Sequence, residues 1–261
     1  MFETLPIKAL NDVIPFGLVL ARVAGLFAAI PVFGSRVVSS RIKAPLIFTM
    51  ALMLFPIVKP RVLPPVDDAI SLALLVILET LVGLTLGLIS QMVFAAVEFC
   101  GHQVGTQIGL SMATLFDPTT QNNVPTMAMF QGALATLVFL TLGVHHFFLR
   151  GIVESYQVIP VGAWHTSPGL LKFLLEASTG VFVIAVKLAA PVAVALLATT
   201  VAIGIMARSF PAMNVFMVSM PLNIGIGFVI LGISLPVFLR VLEGTFGAMQ
   251  GQMRLLFKLL S

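Results

Sequence analysis

Five charged residues, Arg22, Glu79, Glu98, Glu176 and Lys187, lie within or at the edges of long apolar runs, and their side chains are the first candidates for chemistry. A charge at the centre of a bilayer costs about 2.5–3.5 kcal/mol even on insertion-based scales, so each must face protein or water. Such groups can serve as a proton or ion relay, or they can tie helices together by ion pairs and hydrogen bonds, within one subunit or between subunits. A relay needs several carboxylates or histidines at helical spacing. The isolated positions here favour the tie, with Arg22, Glu79 and Lys187 as the expected buried charges. The other reactive side chains are poorly arranged. His145 and His146 are adjacent, which on a helix separates them by about 100° and prevents them from clamping one metal. His102 and His165 have no cysteine or carboxylate at ligand spacing, and Cys100 is the single cysteine, excluding an internal disulfide or a cysteine cluster. Ser111 in "GLSMA" lacks the G-x-S-x-G frame, and no phosphate-cradling glycine loop is present. The chain is expected to be no enzyme and to hold no metal or cofactor.

The elements that must position these residues are membrane helices. Of 261 residues, 59% are hydrophobic and 9% charged, against about 25% charged in an ordinary soluble domain. The mean hydropathy is +1.12. Fourteen basic against ten acidic residues, scattered singly, make no patch for nucleic acid. Six segments approach the roughly 20 apolar residues that a span requires: 13–33, 44–58, 69–98, 125–149, 173–207 and 221–249. The fold class is therefore an all-α integral membrane protein with about six hydrophobic helical segments facing membrane lipid. No small-residue cleavage site follows the first run, which is expected to be retained. The second is short and ends at "FPIVKPRVLPP", whose prolines forbid a continuing helix. The third and fifth exceed what an upright span needs and must tilt, bend or project into protein. If all six cross, eight bases fall on the side of the termini and four on the other, which places the termini in the cytoplasm.

Small residues mark where helices can approach closely. Gly83 and Gly87 stand four apart, and Gly101, Gly105 and Gly109 form a double GxxxG ladder, the spacing that gives a flat helix face. That ladder runs into "GTQIGLSMATLFDPTTQNNVPTM", residues 105–127, a loop without a single basic residue and with an apolar tip. Apolar side chains in a narrow passage can exclude water and ions reversibly, and methionine adapts to irregular surfaces. A plain surface turn would explain the loop equally well on physics alone. Near the C-terminus, "ARSFPAMNVFMVSMPLNIGIG" reads as a Met-rich connector of a helical hairpin, with Pro211 and Pro221 bracketing Asn214, Phe216 and Met217.

Four ordered blocks, "RVAGLFAAIPVFG", "GHQVGTQIGLSMATLFDP", "HHFFLRGIVESYQVIPVG" and "RSFPAMNVFMVSMPLNIGIG", cover much of the chain. Together they resemble the FliR family, the R subunit of the flagellar type III protein export gate, and its injectisome counterparts. The third block is more similar to flagellar members. The resemblance implies a subunit that assembles with P-type and Q-type subunits and an export switch protein in the bacterial inner (cytoplasmic) membrane, within the flagellar basal body. The assembly would be a closed channel for unfolded flagellar export substrates, raised from the ordinary membrane plane. It implies a P-subunit-like part, 1–172, and a Q-subunit-like C-terminal helical hairpin with a tail, 173–261. It also implies that Gly109, Leu110, Ser111, Met112, Ala113, Thr114, Leu115, Phe116, Asp117 and Pro118 belong to a plug that closes the channel. The sequence departs from the family at Ala212, where a glutamine is frequent. The rival from another class is a small-molecule secondary transporter, which would need polar groups converging at mid-membrane and two matching halves; no internal repeat supports it.

Overall fold

The computed structural model describes residues 12–34, 39–58, 68–110, 126–164, 168–210 and 214–260. Among them every regular element is a helix: α1 (Val13–Ala29), α2 (Pro31–Gly34), α3 (Ser40–Val58), α4 (Ala69–Ile108), α5 (Thr126–Thr141), α6 (Val144–Val158), α7 (Pro168–Ser209) and α8 (Val215–Leu260). Four of these, α3, α4, α7 and α8, are long and apolar enough to cross a membrane, or five spans result if α5 and α6 count as one broken span. All six expected segments are helical, but fewer qualify as unbroken spans, for two reasons. The first run breaks at Ile30, whose backbone is extended at ψ 119° because the residue before a proline is held out of the helical region. The fourth breaks at Gly143, whose φ of +65° is a conformation glycine adopts without the strain a Cβ would bring. Beyond this break, α6 is amphipathic rather than uniformly apolar. It buries Val144, Phe148, Gly151, Ile152 and Ser155 and exposes His146, Arg150, Glu154 and Gln157, the alternation of an interfacial or packed helix.

The remaining helices are longer than the apolar runs that announce them. Helices α4, α7 and α8 contain 40, 42 and 46 residues, and at about 1.5 Å per residue each extends for about 60–70 Å, some twice the hydrocarbon thickness. Helix α3 begins at Ser40, four residues before the apolar run, and its described residues run to Val58. Pro45 and Pro56 lie inside it, Pro191 lies inside α7, and Pro221 and Pro236 lie inside α8. Transmembrane helices tolerate such prolines where hydroxyl groups and neighbouring helices re-satisfy the backbone. In α3 the missing Pro45 N–H is the one that would have served the Arg41 carbonyl; separately, the Thr49 hydroxyl donates to the Pro45 carbonyl at 2.8 Å.

The chain forms two compact units that interleave along the sequence. One comprises Met1–Met92, Gly143–Ala177 and Gly247–Ser261, the other Val93–Leu142 and Ser178–Phe246. This partition cuts α4, α7 and α8, so it is a different division from a sequential boundary at Lys172. In the first unit α1 is the central element. Its Leu18, Val19, Val23 and Leu26 are fully buried, and Phe16 meets the rings of Phe48 and Phe55 edge-on at 5.5 and 5.7 Å. In the second unit Phe94, Phe139 and Phe246 form a triangle of rings 5.7–6.0 Å apart, the separation that edge-to-face and tilted aromatic packing favours.

Candidate functional site

In the first unit, glycines set the geometry that brings charge together. A Cβ added at Gly83 of α4 would fall on the Arg22 carbonyl oxygen of α1, one at Gly25 on the Thr80 carbonyl oxygen, and one at Gly87 would lie 2.5 Å from the Ala29 Cβ. Helices α1 and α4 therefore touch backbone to backbone. Gly83 and Gly87 are the packing face expected of them, and their partner is α1 of the same chain.

This close crossing places Arg22 beside Glu79, the residue one turn before Gly83. The Arg22 Nε donates to Glu79 Oε2 at 2.6 Å. One terminal nitrogen donates to the Ser155 hydroxyl oxygen at 2.9 Å, the other to the Ile159 carbonyl oxygen at 3.1 Å. The Tyr156 ring lies 3.8 Å from the guanidinium carbon, within cation–π range. Glu79 accepts a second bond from the Gly162 N–H at 3.3 Å, and the Ser155 hydroxyl donates to the Ile152 carbonyl at 2.6 Å. Arg22, Glu79 and Ser155 are 0–1% exposed, so the charges are compensated by protein alone. One guanidinium thus ties α1, α4, α6 and the segment after α6 into a single knot. Its carboxylate is fully engaged by donors, the arrangement of a structural ion pair rather than of a proton-relay chain.

Lys187, expected as a third buried charge, is instead exposed on α7, and Glu98 is exposed on α4. Each lies among apolar neighbours on its helix, so each requires polar surroundings supplied from outside this chain. Glu176 is exposed and 3.9 Å from Lys172, one turn away. His145 and His146 stack on each other with ring centroids 4.1 Å apart. Among the described residues no group of three or more histidines, cysteines or carboxylates could hold a metal ion.

In the second unit, α4 passes Gly101, where a Cβ would overlap the Ala128 backbone of α5, and then Gly105, where it would lie 3.3 Å from the Met127 Cβ. Gly101 is thus a close contact and Gly105 a looser one. Gly109, the third rung, packs against nothing within 4 Å of a Cβ and has φ +95°. It is a helix terminator rather than a packing residue, since glycine in this left-handed region is the common residue that ends a helix. Just before it, Ile108 is fully buried and lies against Gly227 of α8, where an added Cβ would sit 2.5 Å from Ile108 Cγ1. The root of the plug candidate is thereby fixed to α8. Leu110 is half-buried beyond it; Ser111, Met112, Ala113, Thr114, Leu115, Phe116, Asp117 and Pro118 lie outside the described residues.

At the hairpin, the connector is shorter than expected. Phe216, Met217 and Pro221 belong to α8, which starts at Val215, while Pro211 lies outside the described residues. Asn214 caps this helix: the Met217 N–H meets the Asn214 Oδ1 at 3.4 Å and its carbonyl oxygen at 3.1 Å.

Ser155, Tyr156, Ile159, Gly162 and Gly227 were not singled out by the sequence, although each falls within one of the four blocks. Ser155 carried a signal, as the one hydroxyl on the apolar stripe of α6. The backbone contributions of Ile159 and Gly162 carried none.

The sequence model of the family described as "Bacterial export proteins, family 1" matches residues 13–249. Flagellar biosynthetic protein FliR of Bacillus subtilis (strain 168) is 34% identical over 257 residues, 97% of this chain and 98% of the relative. The protein of that name from Pectobacterium carotovorum subsp. carotovorum is 33% identical over 82% of each chain. Its Escherichia coli (strain K12) counterpart is 30% identical over 87% of this chain and 86% of the relative.

Proposed function

The chain belongs to the bacterial export proteins, family 1, and from that membership we propose that it is the R-type subunit of the core export gate of the flagellar type III secretion system. It is a flagellar export component of the bacterial inner membrane. With P-type and Q-type subunits and the export switch protein it forms the channel through which unfolded flagellar proteins leave the cytoplasm. It catalyses no reaction of its own. Residues 1–172 act as the P-like part, 173–261 as the Q-like hairpin, and 105–127 as the plug. The observation that carries the reading is the 34% identity to a flagellar biosynthetic protein along 97% of the chain.

The physical features support it. Helices about twice as long as the hydrocarbon is thick, with Leu197, Val201 and Ile205 exposed along α7, need protein neighbours beyond what lipid can cover. The plug root is held at Ile108, and Gly109 takes the chain out of helical geometry directly after it. Deleting Met112 to Phe116 is expected to let small ions leak through the assembled complex while part of export remains. Unchanged membrane conductance would refute the plug. A tagged copy expressed with its genomic neighbours is expected to draw P-like and Q-like proteins from mild detergent; recovery of the chain alone or as a homo-oligomer would return the transporter reading.

A further inference from the structure

We infer that the exposed face of α4 between Val93 and Ile108 borders the water of the export passage, with Glu98, His102, Gln103 and Thr106 as its lining side chains. The inference rests on the gate reading above and names the part of this chain that a passing polypeptide meets. In this stretch α4 has two distinct arcs. Val93, Val97, Cys100, Val104 and Ile108 are buried on one. That arc faces α5, where Gly101 meets the Ala128 backbone, and α8, where Phe94 meets the Phe246 ring and Ile108 meets Gly227. On the other arc Ala95, Glu98, Phe99, His102, Gln103 and Thr106 are exposed, and four of these six are polar. Glu98, His102 and Thr106 follow one another at intervals of four, so they stack along one side of the helix. Phe99, the one large apolar side chain among them, meets the Phe182 ring of α7 with centroids 5.5 Å apart, which covers part of it and leaves the polar groups to dominate the rest.

A neighbouring helix of the same unit shows the opposite surface. From Pro221 to Val237 the exposed residues of α8, among them Leu222, Phe228, Val229, Ile233 and Val237, include no polar side chain. One unit thus offers hydrocarbon on α8, and hydrogen-bonding groups with a carboxylate on α4. Lipid suits the first and disfavours the second, since an ionised carboxylate is costly in hydrocarbon. Among the described residues neither the Glu98 nor the His102 side chain has a hydrogen-bond or ion-pair partner. Their solvation therefore comes from outside the chain, and water provides it without a matched partner group. The strip also ends where the plug candidate begins: α4 stops at Ile108, and Gly109 and Leu110 follow directly. A wall that leads to the root of a plug borders the space the plug closes. There His102, Gln103 and Thr106 can exchange hydrogen bonds with an extended polypeptide as water does, without the adhesion of an apolar wall. Glu98 adds a negative field that favours cations and basic segments.

The test uses the complex purified with its co-expressed partners and reconstituted in vesicles, in a Cys100→Ala background that removes the single cysteine. Gln103→Cys and Thr106→Cys probe the strip, and Val229→Cys and Ile233→Cys probe α8. With reagent on both sides of the bilayer, a small cationic methanethiosulfonate is expected to modify the strip at least about tenfold faster than α8, because thiolate reactivity follows access. A maleimide carried on a bulky polyethylene glycol should not reach the strip, since a passage for unfolded chains is too narrow for it. Adding Glu98→Gln should slow the cationic reagent at Gln103→Cys about threefold and speed an anionic one. Strip thiols no faster than those on α8 would overturn the proposal. Modification by the bulky reagent would overturn it too, by placing the strip on the outer surface. Loss of assembly in both strip variants would do the same, by showing that the face packs tightly against protein. Copurification of P-like and Q-like proteins is scored separately: a complex without them refutes the gate reading, whereas an assembled complex with silent strip thiols refutes only the lining.

Discussion

The two compact units secure their apolar interiors by different chemistry. In the first, a guanidinium and a carboxylate, both inaccessible to water, tie three helices and a loop into one geometry. In the second, a triangle of phenylalanine rings and the Gly101–Ala128 approach do the holding, with dispersion and shape in place of charge. The difference teaches where each unit can yield. A buried ion pair tolerates one arrangement, because any displacement strands a charge in low dielectric. Packed rings can shift by tenths of an ångström and keep most of their contacts. The unit with the charges is suited to be a fixed frame, and the unit from which the plug candidate springs can adapt to neighbours.

Several substitutions would break or sharpen this contrast. The largest effect is expected from Glu79→Leu, which leaves Arg22 buried without its counter-charge at a cost of about 3–5 kcal/mol. The yield and thermal stability of the detergent-solubilised complex should collapse, and the double variant Arg22→Met with Glu79→Leu should recover much of the loss. A stable Glu79→Leu protein would remove the distinction between the units. Next come Gly83→Val and Gly101→Val, one in each unit, each expected to cost about 1–3 kcal/mol or more because the added carbons meet backbone; equal destabilisation in melting curves would show that close helix approach is common to both units. Gly109→Ala should cost about 1–2 kcal/mol through left-handed strain alone, read as a lowered melting temperature without loss of assembly. Phe139→Leu should cost about 1 kcal/mol as the rings of Phe94 and Phe246 close in. The smallest change, within about 0.5 kcal/mol, is expected for Gly105→Ala, since only a methionine side chain has to give way; a loss as large as that of Gly101→Val would contradict the looser contact.

Much of this architecture was legible in the residues themselves. Apolar runs located every long helix among the described residues, and Gly83 and Gly87 lie where α4 meets the backbone of α1. Charges in apolar surroundings pointed to Arg22 and Glu79. Their pairing was not legible, because the two lie 57 positions apart in sequence and an α1–α4 crossing had to be known first. The bonds from Ile159 and Gly162 use backbone atoms, which leave no trace in residue type. Lys187 is exposed in the single chain, in keeping with the same logic: an apolar helix says that a charge must be satisfied, not that its own chain will satisfy it. Pro221 was read as a boundary, yet α8 runs through it from a start capped by Asn214. Gly109 continued a spacing pattern that its left-handed backbone interrupts.

The length of α4, α7 and α8 has a consequence for the life of the molecule before it functions. A newly made copy enters the membrane with more apolar rod than a bilayer can accept and with Lys187 and Glu98 exposed on it. Quality-control proteases should recognise such a copy, so its half-life in the cell should depend on how soon protein neighbours cover it. Supply of this chain in step with theirs then becomes a requirement of its architecture, and excess alone would add no further working copies.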